Sequence, residues 1–221
     1  GANRLREDFK SDKWSTLIIN DTLSKRIIEN RFGVGSSVVD GIMRATNVML
    51  HGKKVVVIGY GYCGSGTAQR LRGMGAHVTV VEVNALAKLE AHLEGFYTAS
   101  LENALPDADM VLTITGRDNT LQQHHFELMR DKTIIANAGH FQREIDVNAL
   151  AAMSPKQQQL RPHVTVYDIN DKQLFLLSDA NLVNLSAGDG NPIEIMDLGL
   201  ALQTLSLERI ALDAKSLTKV P

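Results

Sequence analysis

Lys54-Val55-Val56-Val57-Ile58-Gly59-Tyr60-Gly61-Tyr62-Cys63-Gly64-Ser65-Gly66, followed by the run Val78-Thr79-Val80-Val81-Glu82, is the stretch that decides the fold. It reads as a buried strand, a glycine turn, a helix and a second strand ending in an acid. Gly59 permits the tight turn off the strand, Gly61 lets the backbone come close to a pyrophosphate, and Gly64 lets the helix pack on the strand. The helix N-terminus offers free N–H groups and a positive dipole end to phosphate. Glu82 stands where a carboxylate can accept both ribose hydroxyls. A 2′-phosphate there would be repelled, so the pattern reads as NAD rather than NADP. The competing reading, a glycine-rich turn with no ligand, leaves the three spaced glycines and Glu82 unexplained.

Working outward, the pattern alternates short apolar runs with helical segments. Strands are predicted near 54–58, 77–82, 109–113, 133–137, 163–168, 172–177 and 181–185. Helices are predicted near 63–74, 84–94, 121–129, 146–152 and 192–212. Such alternation means a parallel sheet covered on both faces, a doubly wound α/β fold of Rossmann type. The pair at 163–177, joined through Asn170-Asp171-Lys172, reads as a hairpin. Pro155 to Pro162, with its glutamine run, reads as a surface loop.

Upstream, residues 1–20 read as a short charged helix ending in an apolar run. Asn20 or Asp21 is placed to cap a helix from Thr22 to about Glu29. Gly33 and Gly35 read as its break, and Ser36 or Ser37 as the cap of a helix through about Leu50. The expected organisation is residues 1–50 as N-terminal helices and hinge remnant, 51–190 as the dinucleotide domain, and 191–221 as a C-terminal helix.

Composition narrows the function. The net charge of −2 over 221 residues gives no electrostatic case for nucleic acid or an anionic membrane. No uncharged run is long enough to span a bilayer. A single cysteine, Cys63, excludes an intrachain disulfide and suits a reducing cytoplasm. The start, Gly1 to Trp14, is polar and charged and has no signal-peptide pattern.

Several segments together resemble the S-adenosylhomocysteine hydrolase family. They are Asn20-Asp21-Thr22-Leu23-Ser24-Lys25, Asp40-Gly41-Ile42-Met43-Arg44-Ala45-Thr46, Gly59-Tyr60-Gly61, Thr113-Ile114-Thr115-Gly116, Gly139-His140-Phe141 with Glu144-Ile145-Asp146, and Leu182-Val183-Asn184-Leu185. The resemblance runs over residues about 16–212. It implies a bound, recycled NAD that transiently oxidises the adenosine 3′-hydroxyl so that homocysteine can be eliminated. It further implies that Lys25 assists deprotonation of that hydroxyl, with Glu29 where the family has an aspartate. By the same resemblance Asn30 lies beside the nicotinamide, Glu82 holds the ribose, and Val83 belongs to the same cofactor-binding strand end. Thr113, Thr115 and Gly116 form the loop over the cofactor. Gly139 and His140 approach the nicotinamide and ribose, and Asn184 contacts the carboxamide.

The departures are Val34 for a common cysteine, Asn191 for a substrate-gating histidine, Tyr62 for an aspartate or asparagine in the turn, and Ala87 for an asparagine near the adenine ribose. The family's preceding substrate domain and its C-terminal tail have no counterpart here. Three functions stay open: the cofactor-binding portion of an adenosylhomocysteinase-like enzyme; a divergent NAD-dependent oxidoreductase acting on a nucleoside or sugar hydroxyl; and a non-catalytic NAD-binding subunit. A homo-oligomer or a separate substrate-domain subunit is the expected partner.

Individual candidates carry plainer alternatives. Lys25 and Glu29 are spaced for an ordinary i, i+4 ion pair. Cys63, at a helix start, reads as packing beneath the cofactor along with Tyr62. His124 and His125 are adjacent but lack paired acids, so no metal site is expected. Asp189-Gly190-Asn191 is either a turn or a remnant of the substrate gate.

Overall fold

The computed structural model describes residues 16–213 and 216–217. The helix expected over residues 1–20 lies mostly outside them. Among the described residues, eight strands form one sheet: β1 Lys54–Ile58, β2 His77–Val81, β3 Tyr97–Thr98, β4 Met110–Thr113, β5 Thr133–Asn137, β6 Lys156–Arg161, β7 Val164–Ile169 and β8 Lys172–Leu177. Their order is β3-β2-β1-β4-β5-β8-β7-β6. The ladders from β3 through β8 are parallel, and β7 and β6 close that edge through antiparallel pairs. The chain winds outward from β1 toward β3, then returns to start β4 on the other side of β1. That reversal is the topological switch point of a doubly wound sheet.

The strands read as apolar runs because both their faces are covered. Val55 and Val57 join one buried cluster, with Val38, Ile42 and Leu71; Val56 and Ile58 join the other, with Phe126 and Leu150. The helices that supply these partners are α1 Gly35–Thr46, α2 Tyr62–Gly73, α4 Gln123–Leu128 and α5 Val147–Met153. Between them lies α3 Ala85–Leu93, and α6 Ile193–Asp213 is the last helix of the described residues. The chain divides into two compact units, residues 30–191 and the pair of segments 1–29 with 192–221. No helix of the described residues is long and apolar enough to cross a membrane.

Four local readings are corrected. Neither Asn20 nor Asp21 caps the next helix; Asn20 accepts from Lys25, and Asp21 pairs with Arg26. Gly33 and Gly35 do not break the helix, because a π-helical stretch, Arg26–Val34, leads directly into α1. Glycine is needed there for packing. A Cβ on Gly35 would lie 2.6 Å from the Gly66 carbonyl carbon, and one on Gly66 would lie 1.7 Å from the Arg31 carbonyl oxygen. Ser37 is buried and bonded to other side chains rather than capping, and α1 stops at Thr46, where Asn47 turns left-handed at φ 55°.

The glutamine run is not a loop but the edge strand β6, with every residue exposed. Its only sheet partner is β7, so backbone pairing holds it without an apolar pattern, and edge prolines and charges suit such a strand. Residues 181–185 do not form a strand. Ser178, Asp179 and Ala180 take φ of 51°, 50° and 62°, which breaks the run. Leu182 then makes one bridge to Asn137, and Val183–Ser186 is a short helix whose Val183 is fully buried.

Candidate functional site

The site lies at the carboxyl ends of β1, β2 and β4, beside the switch point. A cleft of about 750 Å³ opens there, lined by Gly59 and Gly61, by Glu82, Val83 and Lys88, and by Thr115, Arg117 and Thr120. Gly59 has φ +102°, and a Cβ on it would sit 2.5 Å from the Ile114 carbonyl oxygen, so the turn requires glycine. Gly64 approaches Gly59 so closely that a Cβ would lie 2.0 Å from its carbonyl oxygen. Gly61 differs: a Cβ there would meet nothing within 4 Å. It is the N-cap of α2 and borders the cleft, so its backbone is open to whatever enters there.

Glu82 fixes this turn. Its carboxylate accepts from the backbone N–H of Tyr60 at 2.7 Å, of Val83 at 2.7 Å and of Asn84 at 2.8 Å. Three of its roughly four acceptor positions are therefore filled by backbone, which leaves room for one ribose hydroxyl rather than the two expected from the sequence. Tyr60 is tied at its other end as well, its hydroxyl donating to Glu94 at 2.8 Å. Burial, then the bond to Glu94 and its charge, push the phenol well above its usual pKa.

A second assembly follows β4 and β5. Asn137, fully buried, accepts from the Thr113 hydroxyl and the Gly139 N–H and donates to the carbonyls of Gly139, Phe141 and Ala180. Glu144, also fully buried, accepts from the N–H and hydroxyl of Thr115 and from the Gly116 N–H. A third group runs from Asn184 through Ser37 to Asn191: the Asn184 amide donates to the Ser37 hydroxyl at 3.2 Å, and that hydroxyl lies 3.1 Å from Asn191 Oδ1. Asn184 Oδ1 is buried and has no partner among the described residues.

The sequence candidates therefore separate. Gly59, Gly61, Glu82, Val83 and Thr115 meet on the cleft lining. Gly64 lies behind the turn. Tyr62 is exposed at the start of α2, and Cys63 accepts from the Asn30 amide at 3.2 Å. Thr113, Gly116 and Gly139 belong to the Asn137 and Glu144 assemblies. His140 is exposed after β5, its ring edge-on to Phe141 at 4.8 Å. Lys25 and Glu29 belong to the other unit, where they form an ion pair at 3.1 Å while Lys25 also donates to Asn20 at 2.8 Å.

Sequence reasoning missed Glu144, Asn137, Ser37 and Lys88. Lys88 is half-buried on the cleft and makes no ion pair among the described residues. Glu144 lay inside a segment singled out for resemblance, but nothing in the chain order ties it to Thr115. His125, set aside as a metal ligand, accepts the Gln122 N–H at 3.0 Å, and burial holds its imidazole below the usual pKa.

Two observations fit a dinucleotide: glycine backbone facing open space at the start of a helix, and an acid fixed at the next strand end. The fold and this edge define a Rossmann-type dinucleotide-binding domain. Comparison with known proteins sharpens the assignment. The family description "S-adenosyl-L-homocysteine hydrolase, NAD binding domain" matches residues 30–190, and the chain belongs to that family, carrying its NAD-binding domain. It is 45% identical to the adenosylhomocysteinase of Archaeoglobus fulgidus over 90% of this chain and 49% of the relative. It is 43% identical to the S-inosyl-L-homocysteine hydrolase of Methanopyrus kandleri over 98% of this chain and 52% of the relative. The chain thus spans about half the length of the curated relatives it matches. Among solved structures, the A chain of dipicolinate synthase from Bacillus subtilis shares the fold, with a TM-score of 0.54 at 16% identity over 85% of this chain and 58% of that one.

Proposed function

We propose that this chain is the cofactor-binding portion of a hydrolase that releases homocysteine from a nucleoside thioether. On this reading residues 51–190 form the cofactor module, and 1–50 and 191–221 are the pieces that join it to a substrate-binding part. That part comes from a second copy of the chain or from a separate subunit, and the assembly works in the cytoplasm. The observation that carries the reading is the family match over 30–190 together with a glycine turn whose open face borders the cleft.

Bound NAD would supply a hydride acceptor for the nucleoside 3′ carbon. The residues proposed to hold it are Gly59, Gly61 and the α2 N-terminus for the pyrophosphate, and Glu82 with Val83 for the adenosine ribose. Thr115, Gly116 and Gly139 shape the loops around it, and Asn30 and Asn184 serve the carboxamide end. Tyr62, Cys63 and Thr113 support the turn and strand ends from behind. Lys25 is proposed to assist deprotonation of the 3′-hydroxyl, its neutral amine accepting the proton, with Glu29 placed to hold the ammonium that results. His140 is proposed to meet the ribose of the substrate.

The relatives named for S-adenosyl and S-inosyl homocysteine are equally near, at 41–46% and 42–43% identity. Overall identity does not separate the two names, and either thioether is a candidate substrate. Calorimetric titration with NAD, joined to a thiol assay with S-adenosyl- and S-inosylhomocysteine, tests the reading. One NAD per chain, with no thiol released by this chain alone, is the expected result. No NAD binding by nucleotide-free protein overturns the reading, and thiol release would mean that copies of this chain complete the site between them and that no separate subunit is required.

A further inference from the structure

We propose that Glu144 is a positioning residue that holds the Thr115–Gly116 loop in shape for the adenosine end of the dinucleotide, an inference that rests on the NAD reading above. The geometry begins with cost. Glu144 has no exposed surface, and a buried carboxylate is expensive unless its oxygens are fully engaged. All three of its donors come from the loop after β4. Oε2 accepts from the Thr115 N–H and hydroxyl, each at 2.9 Å, and Oε1 accepts from the Gly116 N–H at 2.7 Å.

The rest of the segment is stitched to the same loop. The Asn119 N–H donates to the Arg143 carbonyl at 2.8 Å, the Leu121 N–H to the Glu144 carbonyl at 2.9 Å, and Arg143 pairs with Asp118 at 2.6 Å. The carboxylate fills the space a side chain at residue 139 would need, since a Cβ on Gly139 would stand 1.6 Å from Oε1.

Glu144 is not on the cleft, but Thr115 is, on the same lining as Glu82 and Lys88. An apolar residue would fill the buried volume at lower desolvation cost. What the carboxylate adds is a fixed direction for two successive backbone N–H groups, and through them the wall against which an adenosine rests.

E144Q keeps the shape and removes this ability. In either orientation its amide NH2 faces a backbone N–H, so one donor is left opposed by another. The test is calorimetric titration of wild type and E144Q with AMP and with NAD, with circular dichroism to confirm folding. The dissociation constants for both ligands are expected to rise about tenfold in folded E144Q. Unchanged constants in folded E144Q, even with a lower melting temperature, would make the role purely structural and overturn the proposal.

If E144Q does not fold, Thr115→Val removes a single donor and Thr115→Ser retains it. A rise of about threefold for valine only is then expected, and wild-type affinity in Thr115→Val overturns the proposal. Wild-type protein that binds neither AMP nor NAD would overturn the NAD reading instead.

Discussion

The turn after β1 and the loops after β4 and β5 sit at the same edge of the sheet and are both held by carboxylates, but they are built differently. Glu82 is half-buried, borders the cleft and grips backbone within a few residues of itself and of the first glycine turn. Glu144 and Asn137 are fully buried, and their partners come from segments up to 43 residues away. The first region is shaped mainly by where side chains are missing. The second is shaped by polar groups that must all be satisfied at once. In the first kind a substitution that faces the open cleft falls on the ligand; in the second, removing a buried polar group falls on the fold as well.

The largest effect is therefore expected at Asn137. Asn137→Ala would leave the Thr113 hydroxyl and the carbonyls of Gly139 and Ala180 without this partner in the interior, while the Gly139 N–H keeps the Thr113 carbonyl and the Phe141 carbonyl keeps the Glu144 N–H. A loss of about 3 kcal/mol is expected, large for a point substitution because one fully buried residue is the partner of three interior groups. Urea unfolding measures it. A loss under about 1 kcal/mol would mean that water replaces the side chain, and the contrast between the two regions would collapse.

Two glycines sharpen the comparison from inside the first region. Gly64→Ala drives a methyl into the Gly59 carbonyl and is expected to cost about 3 kcal/mol. Gly61→Ala puts the same methyl into open space, and stability is expected to stay within about 0.5 kcal/mol of wild type. Its effect falls on the ligand, with the NAD dissociation constant rising about tenfold because the pyrophosphate can no longer reach the backbone. Melting curves and calorimetry on the same two variants separate the roles. Equal NAD affinity in Gly61→Ala and wild type would remove the turn from the ligand's path.

This contrast also explains how much of the molecule was legible in its sequence. The first region is contiguous and typed: glycines at fixed offsets, an apolar strand before them, and an acid at the end of the next. Each of those residue types has one geometric reason to stand there. Parallel strands buried on both faces read equally well, because Val55 to Ile58 have no polar face to hide.

The second region is assembled only by folding. Thr113, Asn137, Glu144 and Ala180 share no spacing rule, and a glutamate between an arginine and an isoleucine looks like a surface charge until Thr115 is brought to it. The edge strand β6 was missed for a related reason. Its stability comes from backbone pairing, which leaves no trace in side-chain pattern. Gly35 was misread because a glycine that permits close helix packing and one that ends a helix are the same letter.

The smallest expected effect lies where the glycine turn is tied to the helical stretch before α1. Glu94 accepts from the Tyr60 hydroxyl at 2.8 Å and the Gln69 amide at 2.6 Å, and pairs with Arg31 at 3.1 Å. Partial burial raises its carboxyl pKa, but the bonds from Gln69 and Tyr60 and the charge of Arg31 outweigh that and hold it below the ordinary value. A depressed folded pKa fixes the sign. The stabilisation is complete above the unfolded glutamate pKa of about 4.3 and is lost as pH falls through the folded value. Glu94→Gln is expected to cost about 1 kcal/mol at neutral pH, discounted because about a quarter of the side chain is exposed. The gap in melting temperature between wild type and variant should then narrow as the solution is acidified and close once both side chains are uncharged. A gap that stays constant with pH would assign the contribution to shape and hydrogen bonding alone. Tyr60 would then be held as Asn137 holds its neighbours, by neutral bonds, and the charge of Arg31 would have no part in fixing the turn.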